Sequence, residues 1–298
     1  MSDYHLHLHP HFPAPPGSPP PGEYPPGRIE AYVEAAAARG VTEVGFTEHL
    51  YRCVEAVPII GRFWEREARS DLANQVAAFV PTEQDISLER YVATVVEAKR
   101  AGLPVKLGLE VDFWPDKIEE ILELLAPYPF DYLIGSIHWI GGWSYDFEDV
   151  VYEFERRGVA RAWEQYFGLE TAMAASGTVD VLAHVDYIKK LGYRPDDEPI
   201  HLYEMVVEAA AASGTAVEVS SHGLRQPVGE IYPAPKLLEM FRSAGVPITL
   251  ASDAHEPELA GWGHEAVREA ARNAGYSRYL RFEDRKPYDV ALNAPSSN

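Results

Sequence analysis

A single rhythm limits what this chain can fold into. Gly40 leads into Val44-Gly45-Phe46-Thr47 and then Glu48-His49, and Gly102 leads into Val105 to Leu109 and then Glu110. Gly177, Gly214 and Gly245 introduce similar short apolar runs, which end at His184, at Ser220-Ser221-His222 and at Ser252-Asp253-Ala254-His255. A further run, Asp131 to Gly135, follows a helical stretch from Asp116 to Leu125 and reaches Ser136-Ile137-His138. Helix, glycine, short strand and polar residue thus follow one another along most of the chain. Alternation of this kind predicts a mainly parallel sheet with right-handed crossovers. The polar residue always comes after its strand. Parallel strands that close into a ring gather their carboxyl ends on one rim, whereas an open doubly wound sheet gathers only a few. The placement therefore favours a closed or nearly closed α/β ring of about seven strands.

The first strand carries Asp3-Tyr4-His5-Leu6-His7-Leu8-His9-Pro10-His11. In an extended strand alternate side chains share a face, so the leucines turn to a core and the imidazoles converge on the other side. Neutral imidazoles are good ligands for borderline transition metals. Collected along the predicted rim are His5, His7, His9 or His11, His49, Glu110, His138, His184, Asp253 and His255. A mononuclear zinc enzyme needs three protein ligands and an open position, so this set suits two or three ions. Glu110 and Asp253 are the natural bridges, and zinc, iron or manganese all fit ligands of this kind. Asp3 and Asp112 are placed to orient imidazoles from behind. His222 follows the sixth strand and faces the same pocket, while His201 and His264 fall at helix starts and read as structural.

Composition removes several alternatives. A chain of 298 residues with a formal charge of -20 lacks the basic stripe of a nucleic-acid surface. Cys53 is the only cysteine, which excludes an intrachain disulfide and a Cys-rich zinc site. No apolar run reaches the roughly 18 to 20 residues of a membrane span, and the N-terminus has no signal pattern. The cytoplasm is the expected compartment. Length alone leaves one or two domains open, and a single domain spanning residues 1–298 is expected. Two segments interrupt its rhythm: a Pro-rich loop at 10–27, and an insertion at 50–87 that reads as a lid. A shorter acidic and aromatic loop runs from Gly141 to Tyr152.

Asp3-x-His5-x-His7, Thr47-Glu48-His49, Gly108-Leu109-Glu110, Ser136-Ile137-His138, Ala183-His184-Val185-Asp186 and Ser252-Asp253-Ala254-His255 resemble, in order, the motifs of the PHP (polymerase and histidinol phosphatase) family. Phe130-Asp131-Tyr132, Lys189-Lys190, Gly223-Leu224-Arg225 and Tyr232-Pro233-Ala234-Pro235 are similar to its monofunctional histidinol-phosphate phosphatases. The resemblance implies a distorted seven-stranded (β/α) barrel, three divalent transition-metal ions, and hydrolysis of L-histidinol phosphate in histidine biosynthesis. By matched motif, His5, His7, Glu110 and Asp253 would hold one ion, and Glu110, His138 and His184 a second. His49 and His255 would hold the third with His11, or with His9 in its place. The sequence departs from the family at that third N-terminal histidine, at Glu48 where Asp is common, and at Ser220 where Asn is common.

Glu110, Asp253 and Arg225 are the expected catalytic residues. Arg225 has a planar fork suited to a phosphate, with Lys190, Arg194 and His222 as further substrate contacts. Asp146 and Trp143 of the acidic loop would receive the ammonium and imidazole of the substrate. The expected partner is a small phosphorylated molecule, without nucleic acid or membrane, and the oligomeric state is open. The rival functions are a related phosphoesterase acting on another ester, and a metal-binding scaffold without turnover.

Overall fold

The computed structural model of the chain describes residues 1–10 and 14–292. Strands β1 (Ser2–Leu6), β2 (Glu43–Phe46) and β3 (Val105–Leu107) form a parallel sheet in that order. Strands β4 (Glu110–Asp112), β5 (Ile134–Ser136), β6 (Val181–Leu182), β7 (Ala216–Ser220) and β8 (Ile248–Ala251) form a second parallel sheet, also in sequence order. A two-stranded antiparallel hairpin, β9 (Arg278–Glu283) and β10 (Lys286–Ala291), follows. The expected architecture is present as α/β with parallel sheets, but its ladders divide into three strands and five.

Chemistry at Gly108 accounts for the division. Tyr91 Oη donates to the Gly108 carbonyl at 2.8 Å, so that group does not serve a ladder. A Cβ at Gly108 would stand 2.6 Å from the Tyr132 ring and 2.8 Å from Thr47 Cγ2, closer than any side chain tolerates. Only glycine lets the Tyr132 ring lie under the turn between β3 and β4. The two sheets still touch at both margins. His7 N–H donates to Ala254 O at 2.8 Å and Glu110 N–H to Glu48 O at 2.9 Å, beside single bridges between Leu6 and Ala254 and between His49 and Glu110.

The helices follow the apolar spacing. Arg28–Ala37 buries Ile29, Tyr32 and Ala36, one face of a 3.6-residue period, and stops before Gly40. Val159–Ser176 and Ile200–Ser213 end on Gly177 and Gly214, both in the left-handed conformation that carries a C-terminal stop. Within the insertion, Ser70–Glu83 buries Leu72, Val76, Val80 and Glu83 on one stripe. Leu88–Arg100 resumes the main rhythm, with Ser87 Oγ accepting from Arg90 N–H as its cap. A continuous apolar cluster from Leu6 to Leu292 holds these elements around strands that are buried throughout. Among the described residues no helix is long and apolar enough to cross a membrane.

The hairpin was not foreseen. It packs Leu280 and Phe282 against Tyr4, Tyr132, Ile134, Val181, Ala183 and Ala216 at the amino ends of the strands. Its turn, Asp284-Arg285, has φ of 50° and 61°, a primed turn without the Asn-Gly or Asp-Gly signature that marks such hairpins in sequence. The opposite ends of the strands are left to the polar residues.

Candidate metal centre

Glu110 stands at the head of β4 with no exposed surface. Its Oε2 faces His49 Nδ1 at 2.7 Å, His5 Nε2 at 3.4 Å and His7 Nε2 at 3.5 Å. Its Oε1 faces His184 Nε2 at 3.2 Å and His138 Nε2 at 3.5 Å. Asp253, just beyond β8, directs Oδ1 to His7 at 3.5 Å, His255 at 3.6 Å and His5 at 3.7 Å. His5 and His7 stand at the end of β1, Glu110 just past β3 at the head of β4, and the others just beyond their strands, so all meet on the rim to which the carboxyl ends of the parallel strands point.

Donor atoms within 4.8 Å of one another fall into four overlapping sets: His7, His49 and His255; His5, His7 and Glu110; His5, His184 and Asp253; and His49, Glu110 and His138. The residues fit divalent cations on three observations. Nδ1 of His7 and Nδ1 of His184 are buried without a hydrogen-bond partner among the described residues. His138 turns Nδ1 to Asp112 at 2.7 Å and His5 turns Nδ1 to Glu218 at 2.8 Å, which leaves each Nε2 facing the cluster as a ligand imidazole does. His184 and Asp253 hold positive φ of 21° and 51°, conformations that non-glycine residues keep only where their surroundings impose them.

The electrostatics follow from the packing. Burial opposes the charge of Glu110, but His49, His5 and His138 around it hold its carboxyl well below the usual range. Asp253 is likewise low, with His222 and His5 outweighing burial. His138, buried beside Glu110 and Asp112, is held up to about 9. His9 differs. Burial and Arg52 push it to about 3, its N–H donates to Glu48 Oε1 at 2.7 Å, and its ring lines a separate cavity under the Pro-rich segment. His9 joins none of the described donor sets, and His11 lies outside the described residues.

A cavity of about 440 Å³ opens on the cluster, within the size range of small-molecule sites. His49, His138, His184, Asp253 and His255 form its floor. Tyr51, Phe79, Trp139, Phe147 and Tyr187 form apolar walls, and Arg52, Lys190, Asp146 and Glu148 supply charge. Lys190 Nζ meets Asp146 at 2.9 Å. The 50–87 insertion reaches the cavity through Tyr51, Arg52 and Phe79.

Other expected residues sit elsewhere. Arg194 pairs with Glu230 at the surface and does not line this cavity. Trp143 is fully buried, its indole N–H donating to Val150 O at 3.2 Å. Arg225 does not line the cavity; its Nη2 donates to the carbonyls of Ser252 and Asp253 at 2.8 and 3.0 Å, while Nη1 is buried with no hydrogen-bond partner among the described residues. Asp3 binds Ser252 and Gly261 instead of an imidazole. Glu218 escaped notice, although a carboxylate in the apolar run Ala216-Val217-Glu218-Val219 is itself a signal. Gln226, which touches His222, and Arg52 had no motif to mark them.

Comparison with known proteins bears on this arrangement. The PHP domain model matches residues 5–222. The chain belongs to the PHP family. A probable histidinol-phosphatase of Deinococcus radiodurans is 32% identical over 258 residues, covering 86% of this chain and 90% of that protein. The histidinol-phosphatase of Bacillus subtilis is 25% identical, covering 81% and 92%. Among solved structures, a histidinol phosphate phosphatase from Lactococcus lactis, complexed with zinc, L-histidinol and phosphate, superposes with a TM-score of 0.72 at 20% identity. That match covers 97% of this chain and 98% of the other, so the two share a fold over nearly their whole lengths.

Proposed function

We propose that this PHP protein is a metal-dependent phosphomonoesterase that hydrolyses L-histidinol phosphate to L-histidinol and phosphate, a step of histidine biosynthesis in the cytoplasm. The observation that carries the reading is Glu110, fully buried with five imidazoles turned to its two oxygens at the floor of an open cavity. The Deinococcus and Bacillus relatives, matched over most of their lengths, favour this substrate.

The chain is read as one domain over 1–298, with seven strand positions once β3 and β4 count as a single strand broken at Gly108-Leu109. On that reading the contacts at Leu6 and Ala254 and at His49 and Glu110 close a distorted barrel, and segment 50–87 forms its cover. Three divalent ions, zinc, iron or manganese, fit the donors: His5, His7, Glu110 and Asp253; Glu110, His138 and His184; and His49 and His255 with His11. When bound, such ions lower the pKa of water and offset phosphoryl charge.

The protein does the rest by placement. Glu110 is shared between donor sets, and Asp253 faces imidazoles of two of them, His5 and His7 of one and His255 of another, so the pair fixes their spacing. Lys190 is the cation that the cavity wall offers to the phosphoryl oxygens, while Arg225, outside that wall, holds the carbonyls of Ser252 and Asp253. Asp146, relieved of Lys190, receives the ammonium of the substrate. Phosphorus takes its new oxygen from water, the ester P–O bond breaks, and the departing alkoxide takes a proton. The net charge of -20 argues against nucleic-acid ends as substrate. Phosphate release by the zinc- or manganese-loaded protein from a panel of phosphomonoesters tests the reading. The highest kcat/KM is expected for L-histidinol phosphate. Preference for another ester would overturn the substrate, and no release from any of them would overturn the activity.

A further inference from the structure

Asp253 divides its two oxygens between different neighbours. Oδ1 looks into the imidazoles of His5, His7 and His255, whereas Oδ2 lies 2.8 Å from Nδ1 of His222. The other ring nitrogen of His222 lies 2.9 Å from Nε2 of Gln226. An amide nitrogen can only donate, so Nε2 of His222 accepts and the ring proton sits on Nδ1. Gln226 thus donates to His222, and His222 donates to Asp253. The ring is also fixed in space. It lies nearly parallel to Tyr232 with centroids 6.3 Å apart, Tyr187 flanks it at 5.9 Å, and the backbone N–H of His222 donates to Ser220 Oγ at 3.3 Å.

The backbone of Asp253 needs this support. Its φ of 51° is left-handed, which Asp tolerates as a single residue but does not favour. Arg225 grips the carbonyls of Ser252 and Asp253, and the same short turn, His222–Arg225, supplies the imidazole that grips the carboxylate. One turn after β7 therefore holds both the main chain and the side chain of the residue after β8.

We infer that His222, with its tautomer set by Gln226, is a positioning residue that occupies one oxygen of Asp253 and leaves the other for a metal ion. Hydrogen-bonding partners behind a ligand commonly change metal affinity by about 10- to 100-fold when removed. The inference rests on reading the cluster as a metal centre, and zinc binding can be followed without any substrate.

The test titrates the metal-free, full-length protein with zinc against a chromogenic chelator, with circular dichroism of each metal-free variant as the folding control. His222→Ala is expected to bind at least one equivalent about 10- to 100-fold more weakly than the unaltered chain. His222→Asn, whose amide N–H can stand where Nδ1–H stood, is expected to recover most of the loss. Gln226→Leu frees the tautomer and is expected to weaken binding in the same direction by a smaller factor. Full zinc affinity in His222→Ala, or no recovery in His222→Asn, overturns the inference. If His222→Ala does not fold, weaker zinc binding in Gln226→Leu supports the inference and unchanged affinity there overturns it. An unaltered chain that binds no zinc overturns the metal reading and this inference together. An unaltered chain that binds zinc but hydrolyses no phosphoester overturns the proposed activity and leaves His222 to be judged on affinity alone.

Discussion

The two ends of the strands both carry clustered carboxylates, and they treat them in opposite ways. At the closed end Asp131, Glu283 and Asp284 approach closely enough to hold a cation, yet Lys99 Nζ already sits 2.7 Å from Asp131 and 2.9 Å from Glu283. Lys106 also binds Glu283. Aromatic stacking of Tyr4 on Tyr132 at 4.8 Å, with Phe282 beyond, seals that end. At the open end Glu110 and Asp253 meet imidazoles only, while the permanent cations Arg52 and Lys190 are drawn off by Glu83 and Asp146. A lysine neutralises a carboxylate for good, whereas a neutral imidazole brings a lone pair and no charge. The partner, not the carboxylate, separates a structural cluster from one built for metal.

The sharpest way to break this contrast is to neutralise one carboxylate at each end. Glu110→Gln is expected to lose bound metal and to lower kcat by at least about 10³-fold, since several kcal/mol of charge stabilisation leave with the ions. Asp131→Asn is expected to keep its full metal content. Elemental analysis alongside phosphate release decides, and metal retained in Glu110→Gln or lost in Asp131→Asn would erase the distinction. The closed end should instead show its effect in stability. Asp131 is fully buried and accepts from Lys99, from Leu107 N–H at 2.9 Å and from Asp284 N–H at 3.3 Å. Lys99 is a third exposed, so losing this charge-assisted bond costs about 1.5 to 3 kcal/mol, which urea denaturation of Asp131→Asn would register.

Acidity sharpens the contrast further. His138 is held at about 9 by Glu110 and Asp112 against the effect of burial, so at neutral pH the metal-free ring carries a proton that a metal must displace. Apparent zinc affinity at this ligand should rise about tenfold, or about 1.4 kcal/mol, for each pH unit up to about 9. The metal-free fold should respond the other way. A pKa raised above the unfolded value of 6.5 stabilises the fold fully below 6.5, and that stability is lost as pH climbs through about 9. Zinc titrations and thermal melts of the metal-free chain at pH 6, 7 and 8 measure both trends, and affinity flat across that range would break the assignment of His138 as a ligand.

The strands themselves, the polar residue after each and the helix ends at Gly177 and Gly214 were legible because each depends on local sequence: period, glycine and β-branching. The gathering of His5, His49, Glu110, His138, His184 and Asp253 was legible because parallel strands share a rim. What stayed hidden depends on contacts distant in sequence. The break at Gly108 comes from a tyrosine 24 residues on, whose ring needs the space a Cβ would fill. The hairpin at β9 and β10 turns on Asp284-Arg285, where an arginine takes the second positive φ that glycine usually fills. Glu218 lies in the middle of β7, and only the structure shows it turned in against His5. Arg225 and Arg194 suggested phosphate ligands by type, but the carbonyls of Ser252 and Asp253 take Nη2 of the first and Glu230 takes the second.

The smallest effect expected belongs to the cations of the open end. If they serve the substrate and not the carboxylates of the floor, Lys190→Gln should leave metal content unchanged and raise KM for L-histidinol phosphate. One charge-assisted hydrogen bond is worth about 1.5 kcal/mol, close to a tenfold change. Asp146, 2.9 Å from Lys190, supplies the control. Asp146→Asn frees the lysine while removing the acceptor for the ammonium, so kcat/KM should fall for L-histidinol phosphate and hold or rise for a phosphomonoester without an amine. Equal losses on both esters would mean that the pair only shapes the wall, and loss of metal from either variant would tie these charges to the floor after all.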